Sequence, residues 1–193
     1  MEFKNYKKYK WFFTSTEKLV VGGKNAEQND ELLKKIKSQK KDFVVMHTST
    51  PGSPFCVIIA DIKKVTKSDL EETAIFTGCF SKAWKQGKKE AEVDVFRISQ
   101  LSKPENYKIG LWQVKGKVDR MKVDLGLVLT KQKGIYRAIP EISAKKKDIL
   151  LAICPGKIEK EKMVDSILEK LKEKKEKRDE LLAALPAGGV RVC

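Results

Sequence analysis

Gly22-Gly23-Lys24-Asn25 is the stretch of this chain whose residue types and spacing best suit ligand chemistry. Glycine permits backbone angles that side chains forbid, and Asn25 is a good N-cap, with Gln28 three residues on in the capping-box position. A helix that starts there turns free amides and the positive end of its dipole outward beside Lys24, which makes a seat for a phosphate. The same residues also build ordinary strand-to-helix turns, so a purely structural role stays open. The pattern is neither a Walker A loop, having no Gly-Lys-Ser/Thr ending, nor a G-x-G-x-x-G fingerprint. Two further features follow at short intervals. His47, the one histidine, ends an apolar run, and Gly52-Ser53 sits in a Pro/Gly loop before the next such run. His47 suits either a strand-end residue hydrogen-bonded to backbone or a ligand contact.

Other chemistries find no footing. There is no nucleophile elbow, H-E-x-x-H pattern, kinase motif set or clustered acid pair. The four cysteines, Cys56, Cys79, Cys154 and Cys193, are far apart and lack zinc spacing. Cys56, Cys79 and Cys154 lie in apolar surroundings and are expected to be buried thiols of a reducing compartment. A non-enzyme with no metal and no cofactor is expected. The N-terminus has no apolar h-region and no apolar run approaches about eighteen residues, so a cytoplasmic protein without a membrane partner is expected.

These residues must be positioned by a small set of elements. Trp11–Thr14 and Leu19–Val21 read as a hairpin, preceded by a lysine-rich segment that is either a basic arm or a frayed terminus. A helix over 26–37 puts Leu32, Leu33 and Ile36 on one face. Phe43–Met46 and Phe55–Ala60 are continuous apolar runs, hence central strands. Ser68-x-x-Glu71 reads as a capping box opening a helix to about Lys85. From Val93 the pattern changes to strands at 93–98, 111–114, 122–129 and 135–139, with no helix in 111–130. Asp148–Cys154 is another strand, a long charged helix runs from about Glu159 to Leu185, and Val190–Cys193 is a last strand. The fold class predicted is α+β: one mixed, largely antiparallel sheet with helices packed on it and a long charged C-terminal helix.

The chain has 193 residues with 41 Lys+Arg against 26 Asp+Glu, a formal charge of +15. Such a field attracts polyanions. Between Lys108 and Lys147 eleven basic residues face three acidic ones, so the later strands carry over half the excess. The positives are mostly lysines, which suit phosphate backbones and read bases poorly.

The order of short motifs resembles the NFACT-R domain, the RNA-binding domain of the NFACT proteins of ribosome quality control. The matching residues are Trp11-Phe12, Gly22-Gly23, Asn29, Leu32-Leu33, His47, Gly52-Ser53 and Ser81-Lys82-Ala83-Trp84, with a weaker match from Val93 to Val123. Lys24 stands where that family usually has arginine. The resemblance implies a non-catalytic module that binds tRNA or ribosomal RNA, with the ribosome as a further partner. The alternatives are a protein-interaction adaptor of the translation apparatus that docks through the C-terminal helix, and a subunit of an RNA-modifying enzyme. Residues 1–140 are expected to form the RNA-binding domain and 141–193 a strand-helix-strand extension packed on the same core. The RNA-binding residues expected are Lys24, Asn25, Asn29, His47, Gly52, Ser53, Lys82, Lys85, Lys115, Lys117 and Arg120, the last three forming the wall opposite the first helix.

Overall fold

A computed structural model describes residues 3–193 and has the α+β fold. The first half runs β1 (Lys10–Phe13), β2 (Leu19–Gly22), α1 (Ala26–Lys37), β3 (Val44–Thr48), β4 (Cys56–Ile58), α2 (Lys67–Cys79) and α3 (Lys82–Lys85). Then come β5 (Glu90–Arg97), β6 (Leu101–Ser102), β7 (Gln113–Val114), β8 (Asp119–Asp124), β9 (Leu127–Gln132) and β10 (Ile135–Ile139). The chain continues with β11 (Leu151–Glu159), α4 (Lys160–Leu171), α5 (Arg178–Ala184) and β12 (Gly189–Val192). Every strand pair described is antiparallel. The single mixed sheet expected is in fact three sheets: a six-stranded one ordered β1-β2-β4-β3-β5-β8, a four-stranded one ordered β10-β9-β11-β12, and the small pair β6-β7. The run read as one strand over 122–129 is two, because Leu125-Gly126 carries the chain from the edge of one sheet into the next. Leu125 N donates to the Lys89 carbonyl at 2.7 Å across that crossing.

Alternation along the strands sorts the first sheet into two faces. Trp11, Val21, Val45, Val57 and Phe96 point to one face and meet Leu32, Leu33 and Ile36 of α1. Phe12, Val20, Met46, Ile58 and Val93 point to the other and meet Ala74, Phe76 and Cys79 of α2. The central strands have both faces covered, which explains their unbroken apolar runs. Helix α2 opens two residues earlier than the sequence suggests: Thr66 is the N-cap and Asp69 completes the capping box, in place of Ser68 and Glu71. The helix expected to run to Lys85 breaks after Cys79, and Ser81 caps the short α3 through a hydrogen bond from Ala83 N at 3.0 Å.

The long C-terminal helix is also two helices. Lys172 adopts a left-handed conformation with φ 52, and Glu173 N donates to the Leu168 carbonyl at 2.9 Å, which ends α4. Arg178 then pairs with Asp165 at 2.7 Å, folding α5 back along α4. Val164, Ile167 and Leu168 of α4 and Leu181 and Ala184 of α5 are buried in the same cluster as Leu129, Tyr136 and Ile153 of the second sheet. Strand β11 continues through Pro155 by a bulge and pairs with β12. Cys154, expected as a free thiol, forms a disulfide with Cys193, while Cys56 and Cys79 are free and buried. The N-terminal segment is docked: Phe3 is buried and Tyr6 packs edge-on against Trp11 at 5.0 Å. Met1 and Glu2 lie outside the described residues. No helix among the described residues is long and apolar enough to cross a membrane.

Buried carboxylates of α2 tie the first hairpin down. Asp69 accepts from Thr14 Oγ1 at 2.7 Å, Thr16 Oγ1 at 2.5 Å and Thr66 N at 2.8 Å, and pairs with Lys18 at 3.0 Å. Glu72, fully buried, accepts from Ser15 N at 2.7 Å and Ser143 Oγ at 2.7 Å. Burial alone would raise the Asp69 carboxyl, but the threonine, backbone and lysine donors outweigh it and hold it well below the usual carboxylate range. Its stabilising contribution is therefore complete above the ordinary carboxylate pKa and is lost on acidification below it. Asp69→Ala should cost about 3 kcal/mol in urea unfolding at pH 7 by stranding these donors. The gap to wild type should close as the pH falls from about 4 toward 2. A gap independent of pH would show that the charge is not what holds the hairpin.

Candidate nucleic-acid interface

A cleft of about 590 Å³ opens at one end of the first sheet, and the start of α1 forms its back. Gly23 presses against Asn29 so closely that a Cβ there would overlap the carboxamide. Asn29 Oδ1 in turn accepts from Phe55 N at 3.1 Å. One contact thus fixes three pieces: the turn after β2, the helix, and the loop that leads into β4. Asn25 caps α1 by accepting from Gln28 N at 2.8 Å, while Gln28 Oε1 reaches back to Lys24 N at 3.1 Å, one residue before the Asn25 amide that a capping box would use.

The loop 49–55 is one wall. Gly52 sits at φ +118 and the Lys82 stem lies against its Cα, where a Cβ would come within 2.5 Å of Lys82 Cδ. Lys82 N donates to the Gly52 carbonyl at 2.9 Å, so the break between α2 and α3 is what lets this loop dock. Ser53 Oγ accepts from Thr48 N at 2.9 Å, closing the loop on β3. His47 stacks on Phe55 with ring centroids 4.3 Å apart, and its Nδ1 donates to the Thr48 carbonyl at 2.7 Å. Burial pushes the His47 pKa down, so the ring is neutral near pH 7.

The opposite wall, residues 103–114, hangs on Asp30. This carboxylate accepts from Lys103 Nζ at 2.5 Å, Gly110 N at 3.0 Å and Trp112 Nε1 at 2.8 Å. Burial works to raise its pKa, and the three donors overcome that and leave it lowered. Ile109, Leu111, Trp112 and Val114 face the cleft.

Two cations line the space, Lys10 of β1 and Lys24. The Lys10 ammonium lies 4.4 Å from the Phe80 ring, and burial, with repulsion from Lys160 and Lys24, pushes its pKa down to about 8. At the other side Asp94 lines the cleft and holds Arg120 Nε at 2.7 Å. Arg120 lies also 3.6 Å from Glu92.

Lys24, Asn25, Asn29, His47, Gly52 and Ser53 are therefore brought together, as lining of one cleft. Lys115, Lys117 and Arg120 are not among its lining residues. Lys115 and Lys117 have their carbonyls held by Gln100 Nε2 at 3.0 and 2.7 Å, and Arg120 reaches the site only through Asp94. Lys82 lines a neighbouring cleft of about 300 Å³ across the 49–53 loop, together with Lys88 and Lys122. Lys85 sits against Gly188, away from both. Sequence reasoning passed over Asp30, Asp94 and Trp112, and took Lys10 only as the end of the lysine-rich N-terminal segment. Asp30 and Asp94 carry no local signal, since the groups they hold are 73 and 26 residues away in the chain.

The family model for the NFACT protein RNA binding domain matches residues 8–116. The chain belongs to this NFACT RNA-binding family. Every residue that lines the cleft, from Lys10 to Val114, falls inside the matched stretch. The archaeal Rqc2 homolog aRqcH of Methanocaldococcus jannaschii is 30% identical over 201 residues, which cover 99% of this chain and 30% of that protein. The chain thus spans less than a third of the length of this curated relative. The C-terminal part of the fibronectin/fibrinogen-binding protein from Streptococcus suis superposes with a TM-score of 0.51 at 23% identity. That match covers 61% of this chain and 44% of the other and extends the family likeness to the fold.

Asp30 and Lys10 can each be tested by itself. Asp30→Ala should leave the sheets intact by circular dichroism but free the 103–114 wall, so that trypsin cuts the Lys108–Ile109 bond at least several-fold faster. Unchanged cleavage would mean that the wall is held by something else. Lys10 titrates lower in the folded than in the unfolded chain, so the unfolded state binds more protons between about pH 8 and 10.5, and stability from this group rises across that window. Lys10→Met should accordingly stabilise the protein by about 2 kcal/mol at pH 7, an advantage that fades by about pH 10.5. Thermal melts at both pH values read this directly, and a destabilised variant at pH 7 would show that the ammonium has a partner.

Proposed function

We propose that this chain is a non-catalytic RNA-binding module that engages tRNA or ribosomal RNA in ribosome quality control, in the cytoplasm. The observation that carries the reading is the coincidence of the cleft with the family segment: Gly23, Asn29, His47, Gly52 and Ser53 of the family-like motifs line one concave site within 8–116. The formal charge of +15 supports it, since such a field draws polyanions toward the molecule. Likeness to an Rqc2 homolog supports the biological setting. In this reading Lys10 and Lys24 meet phosphate, Asn25 and His47 contact the ligand directly, and Asn29, Gly52 and Ser53 hold the walls. Lys82, Lys85, Lys115, Lys117 and Arg120 contribute long-range attraction.

An adaptor role through the C-terminal segment has no observation in its favour, because the apolar faces of α4 and α5 are spent on the second sheet. Binding dominated by lysine contacts to phosphate should weaken steeply with salt. Fluorescence anisotropy with labelled tRNA should give an affinity that falls roughly tenfold or more between 50 and 200 mM salt. The double variant Lys10→Met/Lys24→Ala should bind about tenfold more weakly than wild type, with a salt slope lower by about 1.5 to 2. Lys172→Ala serves as the remote control. A double variant that binds no worse than this control would remove the cleft from the reading.

A further inference from the structure

The cleft is built less like a track for a phosphate backbone than like a socket for a base. Among the described residues the exposed large hydrophobics are Tyr107, Ile109, Leu111, Ile142, Leu150, Ile158 and Val192. Three of the seven lie within five residues of one another, on the single wall that Asp30 holds in place. Ile109 is 61% and Leu111 51% exposed, and both line the cleft. A chain in which 35% of residues are charged has ample polar material for a solvated loop, so an apolar strip there needs a reason. Across the gap stands the stacked pair His47–Phe55, with Phe96 behind it.

Charge is distributed along the cleft in a matching way. Lys10 and Lys24 lie near one another at the end where β1 and β2 pair. Asp94 stands directly across from His47 in the β3–β5 ladder and presents a carboxylate at the other side. A continuous phosphate backbone would find no further cation on that side, where Asp94 is already paired with Arg120, and would have no use for Ile109 or Leu111. A single nucleotide would find cations for its phosphate and two apolar walls for its base. The volume, about 590 Å³, is of the size that small-ligand pockets take, roughly 300 to 1,000 Å³.

We infer that the cleft accepts one unpaired nucleotide of an RNA, its base held between the His47–Phe55 stack and the Ile109/Leu111 strip and its phosphate facing Lys10 and Lys24. The inference rests on the RNA-binding reading above and adds what part of the RNA is read. Bases of a duplex are stacked and paired and cannot enter such a slot, whereas unpaired bases of loops and ends are free to stack on protein side chains. The cleft therefore selects single-stranded segments, and the lysine-rich surface outside it does not discriminate.

The test uses the full chain and two unlabelled competitors of equal length, a single-stranded RNA of mixed sequence and a blunt duplex, displacing labelled tRNA followed by anisotropy. The single strand is expected to compete at least tenfold better than the duplex. The exposed double variant Ile109→Ala/Leu111→Ala should lose most of that preference by weakening the single strand, while duplex competition stays within twofold of wild type. Because both side chains are exposed, folding is not at risk, and circular dichroism checks it. Equal competition by the two RNAs, or a variant that keeps the full preference, overturns the nucleotide socket while leaving RNA binding intact. Failure of the wild-type chain to bind labelled tRNA, single strand or duplex overturns both readings together.

Discussion

Two adjacent side chains on the first helix hold the site open. Asn29 ties its carboxamide to the amide of Phe55 and so fixes the 49–55 loop, while Asp30 takes three donors from the 103–112 segment and fixes the wall opposite. Consecutive residues of a helix point about 100° apart, so one short stretch of α1 can brace two walls that face each other. Both groups are largely buried, and a buried amide or carboxylate must find partners or incur the cost of desolvation. The walls thus satisfy the helix as much as the helix positions the walls. Gly23 belongs to the same arrangement, since only a residue without a side chain lets the turn approach Asn29 so closely.

The large net charge works at a different range from the cleft. Within the cleft the charges are few: the cations Lys10 and Lys24, and the Asp94 carboxylate, which is engaged by Arg120, itself also near Glu92. The excess positive charge lies on the outer surface, where individual ion pairs such as Lys122–Glu90 contribute little to stability and the summed field does the attracting. Attraction and recognition are then carried by separate sets of residues. The low pKa of Lys10 fits the same division, because its ammonium is buried against Phe80 and repelled by Lys160 and Lys24.

The outer strand of each main sheet has part of its open edge covered by a side chain from elsewhere in the chain. The side-chain amide of Gln132 on β9 accepts from Phe13 N and donates to the Phe13 carbonyl, both at 2.8 Å, which closes part of the free edge of β1. Glu180 of α5 accepts from Tyr136 N at 2.6 Å on the outer strand β10. Glu173, just past the end of α4, accepts from Lys131 Nζ at 3.0 Å and from the Tyr136 hydroxyl. These contacts explain why the charged segment after Leu171 is not one continuous helix. Its glutamates serve the second sheet better as hydrogen-bond acceptors than as members of a solvated helix surface. No glycine or proline marks the break, so local propensity alone reads through it.

Residues that report on their own neighbourhood were legible in the sequence. The first hairpin, the helix at 26–37 with its Asn25–Gln28 cap, the apolar central strands and the strand at 135–139 follow from periodicity and capping chemistry, which act within a few residues. The ordered motifs from Trp11 to Trp84 likewise carry the family and the inner half of the cleft, from Lys24 to Ser53. Tertiary contacts decided the rest. The separation of the two main sheets at Leu125-Gly126, the breaks at Phe80-Ser81 and Lys172, the Cys154–Cys193 bridge and the choice of 103–114 over Lys115, Lys117 and Arg120 as the second wall all depend on partners tens of residues away. A helix or strand period is set by the local backbone and can be read in sequence order. The partner that a buried carboxylate, thiol or strand edge finds is set by which surfaces packing brings together.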